Sequence, residues 1–129
     1  MRILDSDHCV AILRGLLVLE EHVDPTEDLG VTAVSVGELV HGAAKSARAE
    51  RYLAALDVLV AALTVLPFDE RCAQRFGVLK ARLERAGERL DDLDLQIAAT
   101  VLAAGGRLVT HNSAHFERIA ELGLEDWLS

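Results

Sequence analysis

The sequence predicts an α/β fold with a parallel sheet covered by helices on both faces, because short apolar runs alternate with amphipathic stretches along the chain. Four apolar runs have the length of strands and are bounded by turn or cap residues, at 2–4, 32–36, 64–67 and 107–110. Between them, apolar residues recur with the spacing of one helix face. Strands that alternate with helices form parallel sheets, so we expect a three-layer α/β/α architecture with about four to five strands.

Three stretches carry the apolar stripe of an amphipathic helix. The stripes consist of Cys9, Ile12, Leu13, Leu16 and Leu17, then Ala49, Leu53, Leu56, Val60 and Leu63, and then Phe76, Leu79, Leu83, Ala86 and Leu90. Residues 95–104 are apolar almost all round, which predicts a buried helix that ends before Gly105 and Gly106. After the last strand, Asn112 and Gly123 predict the start and the end of a final helix.

Length and composition indicate one domain over residues 1–129, since 129 residues with 51% apolar positions suffice for a single core. Asp5, Asp7 and Arg14 interrupt the N-terminal apolar stretch, which argues against a signal peptide. Every charge-free run is far shorter than the roughly 20 residues of a membrane span. Cys9 and Cys72 lie among apolar neighbours without a CxxC spacing, so we expect two core residues in a reducing cytoplasm.

The net charge of -8 argues against a protein that binds nucleic acid simply by being basic. It does not exclude a nuclease, because a metal-dependent enzyme gathers carboxylates around a cation that meets the phosphate. The basic residues are concentrated in two segments, 45–51 and 71–89. These segments are interpreted either as solvated helix faces or as arms that hold a phosphate backbone.

Polar side chains follow the predicted strands where parallel strands place a binding site, outside their carboxyl ends. Asp5 ends the first strand, Glu38 follows the second, Asp94 begins the buried helix and Asn112 follows the last strand. Converging carboxylates repel one another unless a cation lies among them, and hard oxygen ligands suit Mg²⁺ or Mn²⁺. We therefore expect Asp5, Glu38 and Asp94 to bind a divalent cation.

Structural roles are the alternative for most of these residues. Ser35 and Glu38 have the spacing of a capping box, and Asp94 is typical of a helix start. Asn112 is a candidate N-cap. Asp5 has no comparable structural use after a buried strand, and the cap of the first helix is assigned to Asp7 instead.

A zinc site is a weaker alternative for the histidines. His111 and His115 are four residues apart, but no cysteine lies near them in sequence and no further histidine pair has ligand spacing. The aromatic residues are interpreted as core residues; they are Tyr52, Phe68, Phe76, Phe116 and Trp127.

Four segments together resemble the PIN-domain ribonucleases, and the resemblance is closest to the VapC toxins of bacterial VapBC toxin-antitoxin pairs. The segments are ILDSDH, SVGELVHGAAKS, DLDLQIAA and LVTHNSAHFERIAELGLEDW, in the family's order and over essentially the whole chain. The resemblance implies a PIN-like fold and a Mg²⁺-dependent endoribonuclease. It also implies a homodimer and a VapB-type antitoxin that places a basic side chain in the acidic site.

The family's acidic cluster maps onto Asp5, Glu38 and Asp94. Thr110 matches a position that orients the attacking water, and Asn112 stands where the family often has a fourth acid. The resemblance thus implies that these five residues form the catalytic site and that a single cation is bound tightly. Three arginines of the second basic segment are candidates to hold flanking RNA phosphates; they are Arg82, Arg85 and Arg89.

Two other functions remain open from the residues alone. A phosphatase of the HAD type would use Asp5 as nucleophile in the DxD sequence of residues 5–7. A catalytically inert partner-binding module would use the acids only as helix caps.

Overall fold

A five-stranded parallel sheet lies at the centre of the protein, in a computed structural model that describes all 129 residues. The strands are β1 (Arg2–Leu4), β2 (Leu29–Thr32), β3 (Thr64–Leu66), β4 (Arg107–Val109) and β5 (Gly123–Glu125). Their order in the sheet is β3-β2-β1-β4-β5, and every neighbouring pair is parallel. The predicted α/β class and its parallel sheet are confirmed.

Six helices connect and cover the strands. They are α1 (Ser6–Leu13), α2 (Ala33–Ala44), α3 (Ala49–Ala61), α4 (Glu70–Ala86), α5 (Asp92–Ala103) and α6 (Ser113–Phe116). A single 3-10 turn at Leu19–Glu21 precedes β2. None of the helices is both long and apolar enough to cross a bilayer.

The core has two parts, one on each face of the sheet, because successive residues of a strand point to opposite faces. Ile3 of β1 packs with the apolar residues of α4 and α5. Its neighbour Leu4 packs on the other face with Cys9 of α1 and Leu56 of α3. The helices therefore form two layers around the sheet, as the three-layer prediction requires.

The buried-helix prediction is confirmed for α5, in which six residues are buried, from Leu95 to Val101. Cys9 and Cys72 are buried free thiols, also as predicted. Burial raises the pKa of the Cys9 thiol to about 12, which keeps it protonated and inert. The prediction that all aromatic residues are core residues was wrong for Tyr52, which is 40% exposed, whereas Phe116 is fully buried.

The second strand lies earlier in the chain than predicted. It covers Leu29–Thr32 rather than residues 32–36, because the hydroxyl of Thr32 accepts a hydrogen bond from the Ser35 backbone N–H at 3.0 Å and starts α2. Thr32 is thus the N-cap, and Ser35 lies inside the helix. The capping-box interpretation of Ser35 and Glu38 was wrong, which leaves Glu38 without that structural role.

The C-terminal part differs most from the prediction. The final helix ends at Phe116, and Gly123 begins strand β5 instead of ending a helix. Strand β5 has only three residues and is held by pairing with β4, in which Arg107 is opposite Gly123. The three residues of β5 include one large apolar side chain, whereas β1, β3 and β4 each have two, so only the pairing partner identifies β5.

Candidate active site

The candidate site lies at the point where the order of the strands reverses. From β1 the chain proceeds to β2 and β3 on one side, whereas β4 and β5 lie on the other side. The crossovers diverge at the carboxyl ends of β1 and β4, where open parallel sheets bind their ligands. Asp5 follows β1 and Thr110 follows β4, so the topology places both residues there.

Asp5 is buried, with 6% of its surface exposed, and both of its carboxylate oxygens are hydrogen-bonded. Oδ1 accepts from the Ser6 backbone N–H at 2.9 Å, and Oδ2 accepts from the Thr110 hydroxyl at 2.8 Å. Burial raises the pKa of Asp5, and the Thr110 hydrogen bond opposes this effect. Asp5 is itself the N-cap of α1, so the assignment of that cap to Asp7 was wrong.

Asp7 faces the same loop as Asp5. Its Oδ1 lies 2.7 Å from Nδ1 of His8, and its Oδ2 accepts from the His111 backbone N–H at 2.9 Å. The Thr110 hydroxyl lies 3.3 Å from the same Oδ2. Burial acts to raise the pKa of Asp7, but the hydrogen bonds from His8 and His111 outweigh it, and the pKa lies below its usual value.

Glu38 and Asp94 reach the site from helices. Glu38 lies in the second turn of α2, and Asp94 is the third residue of α5, whose N-cap Asp91 accepts from the Asp94 backbone N–H at 2.9 Å. Neither the Glu38 nor the Asp94 carboxylate accepts a hydrogen bond from any group of the chain. The helix-start interpretation of Asp94 is compatible with its place in the first turn, but the capping is done by Asp91.

The pKa values show that these carboxylates share one electrostatic environment. Burial, the adjacent Asp91 carboxyl, and the charges of Asp5 and Glu38 raise the pKa of Asp94 to about 7. Burial also raises the pKa of Glu38, and the charges of Asp5 and Asp91 add to it. Each ionised carboxylate is therefore destabilised by the others, which is the arrangement that a cation relieves.

The site fits a hydrated divalent cation better than an enclosed metal cage. No three carboxylate, imidazole or thiol groups are placed to bind one metal ion directly. Mg²⁺ typically keeps several waters and takes only one or two carboxylates from the protein. The oxygen-only donors of Asp5, Glu38 and Asp94 match that mode, with waters completing the coordination.

Asn112 and His115 complete the rim of the site. The Nδ2 of Asn112 lies 3.1 Å from Nδ1 of His115, which in turn lies 3.7 Å from Oδ2 of Asp94. Asn112 occupies the N-cap position of α6, but its side chain makes no capping hydrogen bond. The sequence interpretation missed His115 as a neighbour of the acids, although it lies one helical turn after Asn112.

The two histidines of the zinc alternative have different partners. Nδ1 of His111 lies 2.9 Å from Oδ2 of Asp126, whereas His115 faces Asn112. The two rings therefore do not face a common position at which a zinc ion could bind both.

The three candidate arginines differ in whether a carboxylate of the chain already pairs with their guanidinium group. Arg82 is engaged by both carboxylate oxygens of Glu121, at 2.9 and 2.7 Å, and this pair lowers the pKa of Glu121 to about 2. Arg89 lies 3.7 Å from Glu84 and lines a hollow that also contains Asp91, the N-cap of α5. Arg85 makes no ion pair. Arg85 and Arg89 are thus better placed than Arg82 to meet a phosphate.

A second hollow, of about 350 Å³, adjoins the acids between α1, α2 and α3. Its lining includes Glu38, Arg14 and the exposed aromatic ring of Tyr52, and its other walls are mostly apolar. The hollow is continuous with the acidic site through Glu38.

Comparisons with known proteins agree with this fold and site. A family model described as the PIN domain matches residues 3–122. Ribonuclease VapC2 of Haemophilus influenzae is 32% identical over 127 residues, which cover 97% of this chain and 96% of the relative. The tRNA(fMet)-specific endonuclease VapC of Shigella flexneri is 36% identical over 97 residues, which cover 75% of this chain and 74% of the relative.

Solved structures give the same result. A crystal structure of DNA-bound VapBC from Salmonella typhimurium matches with a TM-score of 0.91 and 30% identity, over 98% of this chain and 97% of that one. VapBC2 from Rickettsia felis, bound to a promoter DNA fragment, matches with a TM-score of 0.90 and 28% identity, over 98% of each chain.

The family match and the structural neighbours identify this parallel α/β domain, with acids at its switch point, as a PIN fold, and the chain belongs to the PIN-domain family. Within that family its relatives are the VapC ribonucleases, over nearly the full length of the chain. The family assignment replaces the phosphatase interpretation of Asp5.

Proposed function

We propose that this protein is a Mg²⁺-dependent endoribonuclease and the toxin of a VapBC toxin-antitoxin pair. The observation that supports the proposal is the placement of Asp5, Glu38 and Asp94 at the switch point of a PIN fold. Burial and nearby negative charges raise the pKa of each carboxyl there, and a divalent cation would offset this effect. The names of the relatives, ribonuclease and endonuclease VapC, support RNA as the substrate.

The chain contributes position and charge to the reaction. Asp5 is fixed by two hydrogen bonds, which hold its carboxylate in one orientation. Glu38 and Asp94 approach from two helices and would hold the cation directly or through waters. Thr110 positions Asp5 and, as the family resemblance implies, would orient the attacking water. A bound Mg²⁺ supplies the lowered pKa of that water and offsets negative charge on the phosphate. Mn²⁺ has the same ligand preference and would substitute for it.

Cleavage by purified variants tests the site. Asp5→Asn and Asp94→Asn each remove one anionic oxygen ligand with little change in volume, so Mg²⁺-dependent RNA cleavage should fall by at least about a hundredfold. The measurement is the mapping of cleavage ends in total RNA, with Mg²⁺ and with a chelator. Asp69→Asn is the matched control, because Asp69 also accepts a backbone N–H, from Cys72, at the start of α4 away from the site. Wild-type cleavage by folded Asp5→Asn or Asp94→Asn protein would reject this site.

A catalytically inert binding module is the remaining alternative. It predicts no specific Mg²⁺ binding that depends on Asp5. Calorimetric titration of the wild type and of Asp5→Asn with Mg²⁺ therefore separates the two functions without any knowledge of the RNA sequence.

The arginines offer a test of RNA binding. Arg85 has no ion pair, whereas the charge of Arg82 is already offset by Glu121. Arg85→Ala should weaken RNA binding more than Arg82→Ala and should reduce its salt dependence. Equal effects of both variants would remove Arg85 from the proposed binding face.

The second hollow is the surface on which we expect an antitoxin partner to bind. We expect a VapB-type protein to lay an apolar segment against Tyr52, Leu13 and Leu56 and to place a basic side chain among the acids. Co-purification with the product of a neighbouring short gene tests this expectation, and Tyr52→Asp should weaken the complex. We also expect a homodimer, which sedimentation would detect.

A further inference from the structure

Asp7 is a carboxylate of the site that the proposed cation does not require, yet it is the most fully hydrogen-bonded of the acids there. Three groups face it. One is the ring of the adjacent residue His8, and the other two, the His111 backbone N–H and the Thr110 hydroxyl, lie about a hundred residues later in the chain. Asp7 therefore joins the start of α1 to the loop that follows β4. That loop carries Thr110 and Asn112.

The partners of His8 fix its tautomer. The His8 ring is fully buried, and its Nε2 accepts a hydrogen bond from the Trp127 backbone N–H at 3.0 Å. A nitrogen that accepts carries no proton, so the ring proton is on Nδ1 and is donated to Asp7 at 2.7 Å. The two oxygens of Asp7 thus each face an N–H donor, one from His8 and one from His111.

The Thr110 hydroxyl connects Asp7 to Asp5. Its single proton lies between Oδ2 of Asp5 at 2.8 Å and Oδ2 of Asp7 at 3.3 Å, and its oxygen accepts from the Asn112 backbone N–H at 3.0 Å. The position of the loop therefore determines how Oδ2 of Asp5 is oriented. Asp7 holds that loop through His111, the residue after Thr110.

We propose that Asp7 is a positioning residue that sets the affinity of the site for a divalent cation by holding the Thr110 loop against Asp5. It acts without binding the cation itself. The inference rests on the proposed function, because it concerns the cation that Asp5 would bind. Groups that orient metal ligands typically change metal affinity or activity by about 10- to 100-fold when they are lost.

The chemistry at Asp7 requires a carboxylate rather than an amide. An asparagine offers one accepting oxygen and one NH₂ group, so Asp7→Asn would turn a donor toward either His8 or His111. The substitution keeps the volume of the side chain and breaks one of the two links. It therefore tests the positioning role with little effect on packing.

The experiment measures Mn²⁺ binding by isothermal titration calorimetry of the folded wild type, Asp7→Asn and the control Asp69→Asn. We expect Asp7→Asn to bind Mn²⁺ about tenfold more weakly and Asp69→Asn to bind as the wild type does. RNA cleavage by Asp7→Asn should need correspondingly more Mn²⁺ and should recover at saturating Mn²⁺. A purely structural role of Asp7 would lower the melting temperature of Asp7→Asn and leave its Mn²⁺ affinity unchanged.

Each outcome decides the proposal. Wild-type Mn²⁺ affinity in folded Asp7→Asn overturns it and leaves the nuclease function intact, provided that the wild type binds Mn²⁺ and cleaves RNA. A wild type that does neither overturns both. Where circular dichroism shows that Asp7→Asn is unfolded, His8→Gln decides, because it keeps the Asp7 charge and removes the Nδ1–H donor that orients the Asp7 carboxylate toward the His111 backbone N–H. Unchanged Mn²⁺ affinity in that variant also overturns the proposal.

Discussion

The acidic site consists of two halves that satisfy their charges in different ways. The strand half, formed by Asp5, Asp7 and Thr110, follows β1 and β4 and is closely hydrogen-bonded. The helix half is formed by Glu38, Asp91 and Asp94. Glu38 lies in the second turn of α2, Asp91 is the N-cap of α5, and Asp94 lies in the first turn of α5. In this half, the Glu38 and Asp94 carboxylates accept no hydrogen bond from the chain.

This difference in hydrogen bonding suggests that the two halves do different things in one site. Hydrogen bonds in the strand half fix the carboxylates in place before any ligand arrives, which favours a preorganised site. In the helix half, burial, the hydrogen bond with the Asp91 carboxyl and the neighbouring negative charges raise the pKa of Asp94 to about 7. The ionised Asp94 carboxylate therefore makes the metal-free protein less stable than it would be without that charge. The protein thus combines one half whose carboxylates are fixed by hydrogen bonds with another half whose negative charges a bound cation would offset.

The largest effect is expected on breaking the strand half. Thr110→Val leaves Oδ2 of Asp5 and the Asn112 backbone N–H without their partner, so the free energy of unfolding should fall by about 2–3 kcal/mol. Urea denaturation at neutral pH measures the change. Thr26→Val is the control, since the Thr26 hydroxyl donates to Asp24 on the exposed surface, and it should cost less than about 0.5 kcal/mol.

The helix half should respond in the opposite direction. Because the pKa of Asp94 is raised, its contribution to stability is present at about pH 4 and is lost as the pH rises through about 7. Asp94→Asn should therefore stabilise the metal-free protein at pH 8 by about 2 kcal/mol. The gain should shrink as the pH falls toward 5. Thermal unfolding in the presence of a chelator measures it.

Asp57→Asn provides the control for that experiment, because Asp57 is an exposed residue of α3. It should change stability by less than about 0.5 kcal/mol at every pH. A loss of stability in Asp94→Asn at pH 8 would contradict the repulsion assigned to the helix half.

A bound cation should offset the repulsion in the helix half and so stabilise the protein. At a free Mg²⁺ concentration ten times its Kd, binding to the native state stabilises it by about 1.4 kcal/mol. We expect the corresponding rise in melting temperature for the wild type and little or none for Asp94→Asn. Equal rises in both proteins would show that Mg²⁺ binds without this half of the site.

The smallest effect is expected at Asp91. Asn caps a helix about as well as Asp, so Asp91→Asn should change the free energy of unfolding by less than about 0.5 kcal/mol. It removes a charge next to Asp94, so the pKa of Asp94 should fall. A carboxyl NMR titration of Asp94 measures this fall. An unchanged titration midpoint would show that Asp91 does not contribute to the raised pKa of Asp94.

Sequence patterns identified the elements whose signal is local. The stripe of α3 and the all-round apolar α5 are visible as periodicity, and β1 is visible as a short apolar run before an acid. The start of α2 was misplaced, because Thr32 and Ser35 are both acceptable N-caps in sequence and only the hydrogen bond from Ser35 to Thr32 selects between them. Strand β5 was missed because its three residues include only one large apolar side chain, so they do not form an apolar run.

The candidate site shows the same division. Asp5, Glu38 and Asp94 stand out in sequence because carboxylates follow predicted strands or begin a buried helix. The roles of Asp7 and His115 were not visible, since each depends on contact with a loop or helix far away in the chain. Arg82 carries the same charge as Arg85 in the sequence, but only the fold brings Glu121 to it.

By itself, the sequence determined the parallel α/β class and the three acids at the ends of its elements, because both follow from the order and period of residues along the chain. The tertiary structure decided which of those acids are hydrogen-bonded and which are left to repel one another. Hydrogen bonding and desolvation depend on which groups meet across the fold, as Asp7 meets His111 and as Asp94 meets Asp5 and Glu38. For that reason the pKa of Asp94 and the link from Asp7 to Asp5 became visible only in three dimensions.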